Sequence, residues 1–280
     1  MENEGIIRLG FFAGIFTIVA LWEVLAPRRS LTTSKAARWT WNLALTIVNP
    51  LVVGLLFPVL AVTMAVKAQQ GDWGFLNSLN MPPWLAFVAA IIALDGIIYL
   101  QHVMFHAVPT LWRLHMVHHA DLDYDVTTGL RFHPVEIVIS MLIKLSAVAV
   151  LGPPVIAVVI FEVILNGMAM FNHGNIRLPQ ALDRILRLFV VTPDMHRVHH
   201  SWFPFETNAN FGFNLSWWDR LFGTYRAQPR NGHEGMTIGL RQFRDASRLT
   251  ILHLLAMPFT GKQGAYALGR RGGSKTTLEG

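Results

Sequence analysis

The 280-residue chain contains no cysteine and little charge. Without thiols it has no disulfides, no thiolate metal ligands and no cysteine-held iron–sulfur cluster. Charged residues make up 14% of the chain, whereas a soluble domain has about 25%. Apolar residues make up 52%, and the mean hydropathy is +0.40. These values predict an integral-membrane protein with a helical body.

The net charge of +6 comes from basic residues that are scattered along the chain. A nucleic-acid partner is therefore not expected, and contact with anionic lipid head groups is the simpler explanation. The first apolar run lacks a small-residue cleavage site, so we interpret it as a retained transmembrane helix rather than a signal peptide.

Four apolar stretches are long enough to cross a bilayer, which takes about 20 residues per span. Three are single spans, near residues 6–25, 43–66 and 84–100. The fourth, near 135–170, is about twice as long and is interrupted by Gly152-Pro153-Pro154, a helix-breaking sequence. The predicted fold is all-α: an integral-membrane helical bundle of three single spans plus one helical hairpin.

The loop between the first two spans carries basic residues and no acidic one. These residues are Arg28, Arg29, Lys35 and Arg38. By the positive-inside rule this loop is cytoplasmic, and the third span and the hairpin then both end on that side. Within the hairpin, Lys144 and Glu162 each lie nine residues from Pro153. Antiparallel arms would place them at one depth, which predicts an ion pair.

The remainder of the chain is less apolar and is expected to form a cytoplasmic cap. Residues 182–191 are amphipathic, with Arg184 and Arg187 as candidates to face lipid, and 243–257 form a second candidate interfacial helix. The Gly-rich basic tail near 269–275 is expected to be disordered. The predicted division is 1–80 for N-terminal transmembrane helices, 81–225 for a catalytic domain, and 226–280 for an interfacial helix and basic tail.

Eight of the twelve histidines stand in three short motifs: HxxxH at 102–106, and HxxHH at 115–119 and 196–200. With His173 they give nine candidate metal ligands: His102, His106, His115, His118, His119, His173, His196, His199 and His200. Helical spacings of three and four share a face, so each HxxHH motif is expected to present three imidazoles to one point. Nine imidazoles are too many for one ion and suit a two-metal centre, which the topology places in the cytoplasmic cap.

Ligating imidazoles usually donate their second N–H to a carboxylate or carbonyl. The candidates for such supporting roles are Asp95, His133, Glu136, Asp194 and Asp219. Asp95 lies inside an apolar span, two helical turns before His102, where a carboxylate is expected to be functional. For His133 the roles of tenth ligand and supporting donor both stay open. The loop from Asp121 to Asp125 is either supporting or solvated.

Imidazole binds iron, zinc, copper and nickel, so the ligand set leaves the metal open. An iron pair could bind dioxygen, whereas zinc could activate water for a membrane-embedded hydrolase. A metal carrier fits less well, because transporters hold ligands near the membrane midplane. A haem protein would need two ligands per haem, not motifs of three.

The ordered series of motifs resembles the fatty acid hydroxylase and sterol desaturase superfamily of integral-membrane, non-haem di-iron oxygenases. The resemblance covers about residues 95–225. It rests on the three histidine motifs together with TTGLRFHPVE at 127–136, FNHGN at 171–175, PDMHRVHHS at 193–201, NFG at 210–212 and WDRLFGTY at 218–225. Gln101 and Val103 flank His102, where the family often has an aromatic residue and an arginine.

The resemblance implies a di-iron centre held by the nine histidines, with dioxygen as cosubstrate. It implies hydroxylation or desaturation of a membrane lipid (fatty acyl, sterol or related isoprenoid) at an unactivated C–H bond. No catalytic residue beyond the ligands is identified. This chemistry needs two external electrons, and the chain has no Gly-rich dinucleotide loop, flavin motif or cysteine. A separate donor of ferredoxin or cytochrome type, with its reductase, is therefore expected on the cytoplasmic side.

A lipid cavity between the third span and the hairpin is also expected, ending at the metals. Its candidate lining residues are Met104, Phe105, Met116, Met168, Met170 and Phe171. Enlarging Gly167 to Phe is expected to narrow it.

Overall fold

The computed structural model describes residues 4–268. This part of the chain is helical and contains three isolated β-bridges but no strand, which confirms the all-α prediction. Its α-helices are α1 (Glu4–Leu25), α2 (Lys35–Leu56), α3 (Ala61–Gln70), α4 (Pro83–Ala107), α5 (Pro109–His119), α6 (Pro134–Leu151), α7 (Val155–Asn172), α8 (Gln180–Leu186), α9 (Pro193–His199), α10 (Pro204–Thr207), α11 (Trp217–Leu221), α12 (Gly232–Gly235) and α13 (Ile251–Thr260).

Five helical segments are long and apolar enough to cross a membrane, as judged by length and composition. They are Gly5–Leu25, Lys35–Gln70, Pro83–Ala107, Pro134–Leu151 and Val155–Asn172. This is the pattern of a multi-pass membrane protein. The second segment differs from the sequence prediction: it begins at Lys35 and consists of α2 and α3, which Pro58 separates because proline cannot continue the helical hydrogen bonds.

The hairpin of α6 and α7 turns at Gly152, as predicted. Gly152 ends α6 with φ 57°, the left-handed conformation that glycine adopts without strain. The loop before α4 packs on this turn, and a Cβ atom on Gly74 would lie 2.5 Å from the Gly152 backbone. The turn and the loop therefore close one end of the bundle, opposite the histidines.

At the end of the bundle that carries the histidines, the ends of several helices and their loops contact one another. The loop after α1 meets the segment after α7, where the Arg28 amide donates to the Asn175 carbonyl at 2.9 Å. Arg38, near the start of α2, is buried and pairs with Asp121 and Asp125 at 2.6 and 2.5 Å. The basic loop thus lies at the histidine end, as predicted, but Arg38 supports the fold instead of facing head groups.

The predicted ion pair inside the hairpin is present. Lys144 Nζ lies 2.9 Å from Glu162 Oε1, and Arg8 of α1 pairs with the second Glu162 oxygen at 3.0 Å. One buried carboxylate therefore holds cations from two other helices. This charge cluster ties α1 to both arms of the hairpin.

Two predictions for the C-terminal region need correction. The amphipathic helix is short, α8 alone, and Arg187 is buried against Asp183 instead of facing lipid, whereas Arg184 is exposed. The helix expected over 243–257 is α13, which begins at Ile251 rather than near residue 243. The predicted disordered tail lies outside the described residues.

Candidate metal centre

Five of the candidate ligands form one buried group. They are His102 and His106 of α4, His115 and His119 of α5, and His199 of α9. One ring nitrogen from each lies within 4.8 Å of the others. Within residues 4–268, the Nε2 atoms of all five are buried without a hydrogen-bond partner. Such a cluster of unpaired lone pairs or N–H groups is costly unless something binds them together.

The remaining four candidates form a second group around His173, which caps the C-terminal end of α7. Its Nε2 atom lies 3.2 Å from the Nε2 atoms of His118, His196 and His200. One ring nitrogen offers a single N–H or lone pair, so it cannot satisfy three neighbours by hydrogen bonding. A tetrahedral ion with nitrogens at about 2.0–2.1 Å separates its ligands by about 3.3–3.4 Å, close to the observed spacing.

The hydrogen bonds behind the rings fix several tautomers. His102 Nδ1 donates to the Phe211 carbonyl, His199 Nδ1 to the Ala209 carbonyl and His173 Nδ1 to the Ala169 carbonyl, at 2.7–2.8 Å. A carbonyl can only accept, so these Nδ1 atoms carry the proton. Each Nε2 then presents its lone pair to its group, which is the form that binds a metal.

Each HxxHH motif is divided between the two groups, which corrects the expectation of three imidazoles at one point. His115 and His119 belong to the first group, and His118 to the second. In the motif of α9 the pair of His196 and His200 belongs to the second group, and His199 belongs to the first. Residues four apart share a face, but adjacent residues point about 100° apart on an α-helix. The paired histidines therefore face one way and the third faces the other.

The two groups of histidines are in direct contact. The rings of His119 and His200, one from each group, stack with centroids 4.6 Å apart. His118 and His200 are also 4.6 Å apart within the second group. The nine histidines thus make one continuous buried cluster with two foci, a donor set that could hold two ions.

Burial lowers the pKa of several histidines of the two groups that lie outside the spans. The pKa of His173 falls to about 4, and the pKa values of His118, His119, His196 and His200 fall well below the ordinary value of 6.5. Crowding by neighbouring imidazoles lowers these four further. Neutral rings persist at physiological pH, and neutral imidazole is the metal-binding form.

Glu136 is the predicted supporting carboxylate that touches a ligand candidate. Its Oε1 accepts a hydrogen bond from His115 Nδ1 at 2.7 Å. Asp219 supports a ligand candidate indirectly. It accepts hydrogen bonds from the amides of Phe211 and Gly212 at 2.8 Å, and the Phe211 carbonyl in turn accepts from His102.

The other predicted supporting residues bind elsewhere. Asp95 accepts from Trp218 Nε1 at 2.8 Å and from the Leu215 amide, so it joins α4 to α11. Asp194 pairs with Arg197 and with Arg28. Sequence spacing placed both near histidines but could not give the direction of their side chains.

His133 is neither a ligand candidate nor a supporting donor. Its Nδ1 accepts from the Val135 amide at 3.1 Å and caps the start of α6. Its Nε2 lies 3.1 Å from the Leu255 carbonyl. Both nitrogens are therefore used away from the two groups.

Sequence reasoning missed the segment 208–211, which supports three ligand candidates. The Asn208 side chain and the carbonyls of Ala209 and Phe211 face the Nδ1 atoms of His106, His199 and His102. Two of these acceptors are backbone atoms, which no residue pattern identifies. The NFG motif at 210–212 was the available signal.

The acidic loop is buried rather than solvated, and it supports the fold. Asp121 binds Arg38 in a bidentate pair, and Asp123 accepts from Thr32 and Thr33. Burial acts to raise the pKa of Asp121, but the Arg38 guanidinium outweighs it and holds that pKa well below the usual range.

A cavity of about 400 Å³ opens beside the two groups, between α2, α4, α6 and α7. Four ligand candidates border it: His102, His115, His118 and His196. Of the six predicted lining residues only Phe105 borders it. Met116 and Met170 instead pack in two hydrophobic clusters. A Cβ atom on Gly167 would lie 3.0 Å from Ile15 of α1, so a larger side chain there would face α1 and would not narrow this cavity.

Residues 87–224 match the family model for fatty acid hydroxylases, which is about half of the chain. Over 261 residues the chain is 25% identical to ornithine lipid hydroxylase OlsE of Rhizobium tropici, covering 91% of this chain and 76% of that protein. It is 27% identical over 179 residues to human alkylglycerol monooxygenase, covering 61% and 38%. It is 24% identical over 166 residues to cholesterol 25-hydroxylase of Rattus norvegicus, covering 59% and 54%.

The chain therefore spans well under half the length of the alkylglycerol monooxygenase and about half of the cholesterol 25-hydroxylase. No solved structure gives a significant match.

Proposed function

Because the chain belongs to the fatty acid hydroxylase and sterol desaturase superfamily, we propose that it is a membrane-bound di-iron monooxygenase. It hydroxylates a lipid at an unactivated C–H bond. The observation that carries this proposal is the placement of two buried histidine groups beside a cavity within the apolar bundle.

The nine histidines act as the ligands, five for one iron and four for the other. Two irons held there would supply the reduction of dioxygen and the oxidation of the C–H bond. Glu136 orients His115, and the segment 208–211 orients three further rings. Such supporting bonds typically hold the ring direction and tautomer of a ligand.

The cavity positions the lipid and keeps bulk water from the reacting carbon. Ile98, Phe105 and Leu165 supply apolar surface for a hydrocarbon chain. One oxygen atom of dioxygen enters the C–H bond and the other leaves as water, which consumes two electrons and two protons. The electrons come from a separate ferredoxin- or cytochrome-type donor with its reductase.

The metal centre lies on the cytoplasmic side of the membrane. Arg28 and Arg29 lie at the histidine end of the bundle, in contact with Asn175. Basic loops of this kind stay in the cytoplasm. The donor protein then docks from the cytoplasm.

A zinc hydrolase built from the same histidines is not favoured. The similar proteins are named as hydroxylases and monooxygenases. The two activities also differ in the source of the oxygen atom, since a hydrolase takes it from water.

The test is turnover of a membrane lipid extract by the purified, iron-loaded protein with a ferredoxin, its reductase and isotopically labelled dioxygen. The proposal expects a lipid that gains one labelled oxygen atom, and no product from a His118→Ala variant. Label taken only from water, or turnover without dioxygen, would contradict it.

A further inference from the structure

The cavity beside the metal centre is lined by more polar side chains than the binding of a hydrocarbon chain requires. Each of its four helices contributes at least one, including Asn49 of α2, Gln101 of α4, Ser140 of α6 and Asn166 of α7. Polar groups buried in an apolar bundle cost free energy unless they are hydrogen bonded. Polar atoms of the cavity that have no partner within the protein therefore indicate which groups a ligand must supply.

Asn49 presents a hydrogen-bond acceptor that the described protein does not satisfy. The side chain is more than nine-tenths buried, and its Nδ2 donates to the Phe132 carbonyl at 3.0 Å. Because a carbonyl can only accept, this bond fixes which end of the amide is nitrogen. The buried Oδ1 atom has no partner among residues 4–268.

Gln101 presents a second acceptor next to a ligand candidate. Its Nε2 lies 3.0 Å from Oγ of Ser140, while its Oε1 is buried with no partner in the described part of the chain. Gln101 directly precedes His102 on α4 and borders the same cavity. The free oxygen of Glu136, whose other oxygen holds His115, is a third unsatisfied acceptor there.

Three acceptors without donors define the chemistry of the occupant. Hydrocarbon, ester and ether groups carry no N–H or O–H, so they cannot satisfy amide or carboxylate oxygens. Hydroxyl groups and amide N–H groups can. A ligand that lacks a donor leaves these oxygens unpaired, which is the strongest basis for discrimination in a binding site.

We infer that the lipid brings hydroxyl or amide N–H donors into this cavity, and that Asn49 and Gln101 are specificity-determining residues that accept from them. The inference rests on the proposed function. It places the polar portion of the lipid beside the metals, so that the attacked carbon lies near the head group or its linkage. A substrate attacked at the far end of a plain acyl chain does not fit.

Binding of two matched ligand pairs tests this inference without iron, dioxygen or electron donor. The first pair is hexadecylglycerol and hexadecyl propyl ether, and the second is N-propyl palmitamide and propyl palmitate. Native mass spectrometry of the full chain in detergent measures each Kd. We expect the donor-bearing member of at least one pair to bind about tenfold more tightly or better, which is about 1.4 kcal/mol.

Variants assign the preference to named residues. Asn49→Leu and Gln101→Met are each expected to remove most of that preference. Thr46→Val is the matched control, because Thr46 borders the same cavity but its hydroxyl already donates to the Asn42 carbonyl at 2.9 Å. If Asn49→Leu fails to fold because it loses its hydrogen bond to Phe132, Gln101→Met still tests the inference.

Equal binding within both pairs would overturn the inference, as would a preference that neither variant changes, or no binding of any ligand. The first result would mean that ordered water satisfies the acceptors. Failure of the proposed function is seen separately, as absence of labelled product, and leaves this binding result intact.

Discussion

Replacing His173 by alanine tests the division of the histidines into two groups. His173 belongs only to the group of four, and its Nε2 lies 3.2 Å from each of the other three Nε2 atoms. The variant leaves three ligands in that group and five in the other. We expect the metal content to fall from about two ions per chain to about one.

The size of the effect follows from the ligand count. Four-ligand zinc sites bind with about 10–16 kcal/mol, so an equal share is roughly 3 kcal/mol per ligand. A loss of that size raises Kd about 150-fold. Removal of His119 leaves four nitrogens in its own group, so His119→Ala should retain its ion more firmly than His173→Ala.

The assay is elemental analysis of iron-loaded protein after dialysis against a graded series of chelator concentrations. His253→Ala is the control, because His253 is exposed, bonds Thr250 and lies in neither group. Loss of both ions from His173→Ala at the lowest chelator concentration would refute the assignment of His173 to one ion. Full retention of two ions would refute its role as a ligand.

Three further predictions concern the support of the site and the bundle. Glu136→Gln should weaken metal binding about 10- to 100-fold in the same dialysis, without lowering the melting temperature much. Asp121→Asn breaks the buried pair with Arg38 and should cost about 3–5 kcal/mol of unfolding free energy near neutral pH. Because the folded pKa of Asp121 is depressed, this difference should shrink as pH falls below about 4; a difference independent of pH would contradict it. Glu162→Gln should lower the melting temperature more than Lys144→Met, since Glu162 holds two cations; the reverse order would argue against this cluster.

Local signals explain why much of the bundle was predictable. Long apolar runs mark the candidate spans, and Gly152 followed by two prolines marks the hairpin turn without knowledge of the tertiary structure. The Lys144–Glu162 pair followed from counting equal distances along two antiparallel arms. Eight of the nine histidines were identified because their spacings of three and four place them on helix faces, whereas His173 stands alone in the FNHGN motif.

Side-chain direction across helices could not be read from the chain. Which group receives the pair and which receives the single histidine of each HxxHH motif depends on how α5 and α9 face each other, and spacing within one helix does not define that. Asp95 and Asp194 carried the right chemistry for supporting ligands, but their partners come from distant segments. Arg38 was identified only as one of the basic residues that orient the first loop, because nothing local indicates its buried partner, Asp121.

The segment 208–211 has a consequence for how variants of this protein are interpreted. Two of its acceptors, at Ala209 and Phe211, are carbonyls that every amino acid possesses, so a scan of side chains passes over them. Such a scan can detect the residues that hold the backbone of this loop in place. Asn210 adopts a left-handed backbone (φ 54°), and Asp219 holds the amides of Phe211 and Gly212. Damaging substitutions should therefore cluster at residues that touch no histidine.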